Sequence, residues 1–246
     1  RAFASGTTDP AFAPERIDAG DMREWRCSAR RQAERAFDAL AEALHELDEP
    51  ARMEVQALLA RRQECMHLLD RLGEPDLDAT KTRIHGDYHL GQVLLAKDDW
   101  LIVDFEGEPE RPMEQRRGKY SPLRDVAGML RSFNYAAAAA QMRLPPALAT
   151  SPDAAVSFAS RWCTAATAAF LEAYRKTIAG VDSYPADPAT AQHWLDLFIL
   201  EKACYEIVYE ANNRPGWLLI PVRGVQHLMD GHAQASPTGN HNDFPA

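Results

Sequence analysis

Two short apolar runs, "QVLLA" and "WLIVDF", stand on either side of "KDD" in a chain that otherwise reads as helix. Strand-length runs around a turn-forming triplet predict a β-hairpin over residues 92–105. The surrounding stretch, "RIHGDYHLGQVLLAKDDWLIVDFEGEP", also gathers His85, Asp87, His89, Gln92, Asp104, Glu106 and Glu108. Unpaired buried charge is costly. Those groups must therefore sit at the strand ends in water, or something positive must bind among them. The fold has to wrap helices around this one hairpin and leave its charged ends usable.

The rest of the pattern supplies those helices. Residues 1–19 show no period and read as a linker or irregular segment. Residues 21–47 carry apolar residues at helical spacing without Pro or Gly, and Glu49-Pro50 ends that helix. A second amphipathic helix is expected over 51–72, closed by Gly73. "TRIHGD" reads as a short strand ending at Gly86, and 106–122 as a charged loop. Further helices are expected from 123 to Pro145-Pro146, from Pro152 to about Ile178, over 188–213 with Pro188 near its start, and over about 218–229. Residues 231–246 form a polar tail. The expected fold is mainly α with a small β-hairpin.

Composition limits the partners. The 246 residues are 46% hydrophobic and 26% charged, as in an ordinary globular chain. The net charge of −9 argues against nucleic acid, which needs a basic surface. It suits a cation bridging the protein to an anionic ligand. Cys27, Cys65, Cys163 and Cys204 are far apart and form no CxxC pair. They read as reduced thiols, so a cytoplasmic location is expected. No apolar run approaches membrane-spanning length, so no membrane partner is expected.

The charged cluster has the spacing of a phosphoryl-transfer site. His85-Gly86-Asp87 stands where protein kinases have H-R-D, Gln92 follows five residues after Asp87, and Asp104-Phe105-Glu106 comes twelve residues later where kinases have D-F-G. A carboxylate must accept the proton of the attacking hydroxyl, which assigns Asp87 as base. An amide oxygen and a second carboxylate must hold Mg2+ against the phosphates of ATP, which assigns Gln92 and Asp104, with Glu106 as a weaker metal candidate. His85 reads as a buried histidine that holds the loop. Asp125, opening the next helix, reads as a helix cap, as a brace for the catalytic loop, or as both. His89 divides between loop structure and substrate contact. Glu108 and Glu110 divide between function and a solvated acidic edge. A transition-metal site on His85, Asp87 and His89 is the competing reading of the cluster. On helix 188–213, Lys202, Glu206, Tyr209 and Asn213 recur on one face with Tyr205 beside them. Aromatic and polar groups on one stripe suit a sugar. The plain alternative is a solvated face with a Lys202–Glu206 pair. Arg214 and Trp217 are weaker candidates.

"HGDYHLGQVL", "IVDFEGEP", "RDVAGMLRSFNYAA" and "EKACYEIVYEANNRPGWLLIPVRGV" together resemble the bacterial maltokinases, within the aminoglycoside-phosphotransferase-like kinases. The resemblance covers about residues 20–230. It implies the C-lobe of a protein-kinase-like fold, with catalytic loop and metal hairpin over 83–109 and a helical sugar-binding subdomain over 123–230. It also implies transfer of the ATP γ-phosphate to the anomeric hydroxyl of maltose, giving maltose 1-phosphate for α-glucan or glycogen synthesis, with Mg2+ as cofactor. Trehalose synthase is the implied partner or fusion.

The departure lies at the N-terminus. Residues 1–80 show no strand-rich region, no glycine-rich turn between strands and no lysine-bearing strand, and the chain starts at Arg1. The N-lobe is therefore expected to be absent and the isolated chain to be poorly active. Two alternatives stay open: a kinase for another small hydroxylated acceptor, such as an aminoglycoside, and a non-catalytic sugar-binding or docking module.

Overall fold

The computed structural model describes residues 7–72, 78–109, 111–143 and 152–235. Helix α1 (Ala19–Ala43) starts where Asp18 accepts hydrogen bonds from the backbone N–H groups of Gly20 and Asp21, while Asp21 reaches back to the Asp18 N–H. That reciprocal capping satisfies donors the first turn would leave open. Its buried face runs Met22, Trp25, Ala29, Ala33, Ala36, Phe37 and Leu40, the three-to-four spacing of a core-facing stripe. The stripe lies along α7 (Pro188–Asn213), the central helix. Trp25 packs edge-on to Trp194 at 6.1 Å and against Phe198 at 5.5 Å. Both partners are fully buried.

The predicted helix over 51–72 is two helices, α2 (Glu49–Ala60) and α3 (Arg62–Arg71). The break falls at Arg61, whose guanidinium binds Glu64 and, at 2.7 Å, Asp230. Neither Gly nor Pro marks that break, so only the tertiary partner reveals it. The expected cap at Gly73 lies outside the described residues.

The β content is larger than one hairpin. β1 (Glu15–Arg16) pairs antiparallel with β2 (Thr80–Arg83), which pairs with β5 (Lys119–Tyr120). Residues 1–19 are thus not all irregular, and the loop 106–122 contains both β5 and a helical turn, α4 (Met113–Arg116). Two-residue strands leave no periodicity to read. The expected hairpin is present as β3 (Val93–Ala96) and β4 (Asp99–Ile102). Lys97 and Asp98 both take positive φ at its tip, 50° and 65°. Two left-handed residues in succession make the turn whose twist matches the strands.

The remaining helices are α5 (Leu123–Met142), α6 (Pro152–Ile178) and α8 (Leu219–Ala235). α5 packs between α7 and α6, and α8 lies on α7 and α2. Residues 231–235, expected in the tail, continue α8. The expected helix end at Pro145-Pro146 and the tail beyond 235 lie outside the described residues. No described helix is long and apolar enough to cross a membrane.

Candidate active site

The expected catalytic loop is pinned by hydrogen bonds. Asp125 in the first turn of α5 accepts from the backbone N–H of His85 at 2.7 Å and of Gly86 at 2.9 Å. It makes no cap hydrogen bond to its own helix. Of its two readings, the brace is the observed one. Burial pushes the Asp125 carboxyl above its ordinary range, against the pull of those two N–H groups. His85, only 3% exposed, hydrogen-bonds through Nε2 to the Val103 carbonyl at 2.8 Å, while its Nδ1 accepts from the Asp87 N–H at 3.3 Å. A carbonyl can only accept and an N–H can only donate. Both ring nitrogens of His85 are thus engaged inside the protein, which disfavours the His85–Asp87–His89 transition-metal reading.

The His85–Val103 bond also ties the loop that carries Asp87 to the residue just before Asp104. The crossing needs glycines. Gly86 has φ 84°, Gly107 has φ 75°, and a Cβ on Gly86 would lie 3.1 Å from the Gly107 Cα. Asp104 itself takes φ 64°. A non-glycine residue in that region carries strain, and such residues cluster at functional sites. Gln92 Nε2 donates to Asp104 Oδ2 at 2.8 Å, so the two expected metal ligands are adjacent. The amide and carboxylate oxygens are the hard donors Mg2+ prefers, and the pair fits that ion. Among the described residues, no group of three His, Cys, Asp or Glu side chains is gathered to hold a metal by itself. A cation here would need phosphate oxygens or water to complete its shell. Glu106 is exposed, and its backbone carbonyl meets Arg116 at 3.4 Å.

Asp87 opens onto a cleft of about 510 Å3 between the catalytic loop, α5 and α7. Of the expected sugar-binding residues, His89, Lys202, Tyr205, Glu206 and Tyr209 line it. Asn213 does not. It is exposed, its side-chain amide donates to the Tyr209 carbonyl at 2.9 Å, and Glu210 and Arg214 line the cleft instead. Helical spacing put Asn213 on the right stripe, but its side chain turns back onto its own helix while Arg214, the next residue, reaches the cleft. His89 holds the loop and also lines the cleft. Its Nδ1 accepts from the Gly91 N–H at 3.0 Å, and its Nε2 lies 3.8 Å from Asp87.

The charges are paired across helices rather than along them. Lys202 lies 3.4 Å from Asp87 and also binds Glu108. The within-helix Lys202–Glu206 pair is thereby replaced. Glu206 instead takes Arg131 of α5 at 2.6 Å, both side chains being nearly buried. Glu108 is no solvated edge: it is 4% exposed and held by Lys202 and Arg111. Burial pushes its carboxyl up, but the two cations outweigh that and bring it down to about 2. Arg111 lies 3.8 Å from Glu201, which also takes Arg124 at 3.0 Å and the Ser28 hydroxyl at 2.9 Å. A ladder of alternating charge thus runs from Asp87 to α1. Glu110 lies outside the described residues.

Sequence reasoning missed Glu201, Arg111, Arg131, Tyr135 and Glu210. Tyr135 donates to Glu210 at 3.0 Å and stacks on Trp217 at 6.1 Å, while Arg214 grips Glu210 with two hydrogen bonds. The Glu210–Arg214 spacing of four was a legible signal. The α5–α7 pairs were not, because nothing local links residues so far apart.

Residues 8–148, more than half the chain, match the phosphotransferase enzyme family, APH. The chain belongs to the APH family of phosphotransferases. A glucosamine kinase from Streptacidiphilus jiangxiensis is 31% identical over 162 residues, which is 65% of this chain and 34% of that protein. One from Mycolicibacterium smegmatis (strain ATCC 700084 / mc(2)155) is 30% identical over 217 residues, 86% of this chain and 48% of that one. A solved glucosamine kinase in complex with glucosamine, ADP and inorganic phosphate superposes with a TM-score of 0.74 at 23% identity, over 92% of this chain and 52% of that one. The APH fold is thus shared, and this APH chain spans about half the length of its solved relatives and half or less of the curated ones. The family is the one to which the kinase-like motifs pointed. These relatives are glucosamine kinases, not maltokinases.

Proposed function

We propose that this chain is the catalytic and acceptor-binding lobe of an ATP-dependent kinase that phosphorylates a hydroxyl of a small amino sugar of the glucosamine type. The observation that carries the reading is Asp87, set between Lys202 and His89 at a tyrosine-lined cleft, with the Gln92–Asp104 pair just beyond the His85–Val103 bond. In this reading Asp87 accepts the proton of the attacking hydroxyl. Tyr205 and Tyr209 offer ring faces to the sugar, and Glu206 and Glu210 offer carboxylate oxygens to its hydroxyl and amino groups. Gln92 and Asp104 hold Mg2+, which neutralises phosphate charge when bound. Lys202 sets a positive charge 3.4 Å from Asp87.

Maltose is the second reading. It rests on the motif resemblance, as do maltose 1-phosphate synthesis and a trehalose synthase partner. One observation favours it: the cleft's acids are matched by Lys202, Arg111, Arg131 and Arg214. A charge-balanced cleft does not demand a cationic acceptor. An aminoglycoside acceptor and a non-catalytic sugar-binding module remain the other outcomes.

Labelled ATP offered with glucosamine, maltose and an aminoglycoside, to the longest natural form of the chain, separates these. Glucosamine is expected to be the best acceptor by kcat/KM. Asp87→Asn is expected to keep sugar binding and lose transfer by about 10^2–10^4-fold, the usual worth of a general base. Unchanged transfer in Asp87→Asn overturns the base assignment, and sugar binding without transfer in the native chain overturns the kinase reading.

A further inference from the structure

A second pocket, of about 250 Å3, lies beneath the catalytic loop and shares no lining residue with the acceptor cleft. Its walls come from β2 and the catalytic loop, the hairpin, the start of α5, and α6 with the turn that follows it. Ile84, Tyr88, Phe105, Val126, Phe170 and Ile178 give it an apolar, ring-rich lining. Among the described residues, two lining hydroxyls have no partner: Tyr174 Oη, and Oγ of Ser183, a residue only 1% exposed. Buried polar groups are nearly always hydrogen-bonded, so two orphans on one wall need an explanation.

The chemistry restricts what fits. A dry apolar cavity of about 150 Å3 takes benzene, and drug-sized ligands need roughly 300 Å3 or more. A volume between these suits one or two fused rings. The charged groups on the wall are already engaged. Asp125 is committed to the N–H groups of His85 and Gly86, and Arg83 reaches the Arg116 carbonyl at 3.5 Å. The apolar, ring-rich walls penalise a charged guest by desolvation, whereas a neutral one with a single polar group would supply a partner to Ser183 or Tyr174.

The pocket also touches what positions the site. The Phe105 ring lies 4.8 Å from that of His85, and the His85–Val103 bond links the Asp87 loop to the Asp104 strand. We propose that this pocket is a second ligand site for a neutral, planar molecule of one or two fused rings carrying one hydrogen-bonding group, and that its occupancy is relayed to Asp87 and Asp104 through Phe105 and His85. Ser183 is held where it can report on the guest, because the Asp182 carbonyl accepts from the Thr80 N–H at 2.8 Å and fixes this turn to β2.

Indole is a suitable probe, titrated into the longest natural form of the chain by calorimetry and by amide chemical shifts. Saturable one-site binding is expected, unaffected by saturating acceptor sugar, with shifts at Ser183 and Tyr174. Ser183→Ala is expected to weaken it severalfold, and Ile178→Trp, which fills the cavity, at least tenfold. Should Ile178→Trp not fold, Ser183→Ala and the shifts still decide. No saturable binding, equal binding by folded variants, or competition by the acceptor sugar overturns the site. With indole saturating, kcat is expected to fall several-fold at unchanged acceptor KM. Binding with kcat unchanged overturns the relay to the catalytic loop. Because the binding arm needs no turnover, its result is independent of the proposed acceptor.

Discussion

Lys202 holds two carboxylates with different duties. Asp87 faces the cleft, whereas Glu108 is buried behind it and also clamped by Arg111. Burial alone would favour loss of the Lys202 proton, but Glu108 and Asp87 reverse that and raise its affinity for the proton. The sign for Glu108 follows from its depressed folded value. Its ion pairs stabilise the fold above the ordinary 4.5, and that stability is lost as pH falls toward about 2. Lys202→Met is therefore expected to destabilise the chain by about 1–3 kcal/mol, because Glu108 loses one of its two cations. It should also flatten the stability loss between pH 4.5 and 2. Urea melts across that range check both, and an undiminished acid slope would place the clamp elsewhere. The adjacency of Gln92 and Asp104 was readable because the hairpin between them sets their spacing along the chain. Glu108 was not, since a glutamate between Gly107 and Pro109 looks like surface until α7 brings Lys202 against it.

At the scale of elements, α5 is the support of the catalytic loop. Asp125 braces the loop from the helix start, and one turn later Gly128 leaves room for its backbone. A Cβ at Gly128 would sit 2.7 Å from the Tyr88 carbonyl oxygen, a contact with backbone that no rotamer can relieve. Gly128→Ala is expected to cost about 1–3 kcal/mol as an overpacked site and to lower kcat by moving the loop that carries Asp87. The checks are a thermal melt and steady-state kinetics. Retained kcat in a folded variant would mean the loop tolerates the shift. Gly224 on α8 plays a similar part for the buried Arg131, since a Cβ there would collide with the guanidinium Nη1. The amphipathic stripe of α1 and Pro188 at the start of α7 made these helices legible. The division of α2 from α3 and the two-residue strands were not, because each depends on a partner distant in sequence.

The whole molecule presents its hairpin to solvent. Leu95 and Trp100 are 65% and 66% exposed, and Leu94, Leu101, Ile102 and Phe105 are exposed beside them. A contiguous apolar surface of this kind marks a site of contact with another part or partner. It adjoins Asp104, where the nucleotide phosphates are proposed to sit. The chain, spanning about half of its relatives, is accordingly expected to bind an acceptor sugar yet transfer phosphate from ATP slowly by itself. Comparing its turnover with that of a full-length APH-family kinase checks this, and comparable rates would show that the hairpin needs no cover.

The sequence by itself determined the helical class, the hairpin, the order of the Asp87, Gln92 and Asp104 groups, and the family to which they belong. These are set by periodicity and by short spacings, which act within one segment of chain. Only the tertiary structure decided that Glu108 is buried, that Lys202 faces Asp87 rather than Glu206, that Arg214 rather than Asn213 lines the cleft, and that a second pocket lies under His85. Those outcomes depend on which helices meet and at what depth. That is fixed by the packing of α1, α5 and α7 around a shared core, a property no single segment carries.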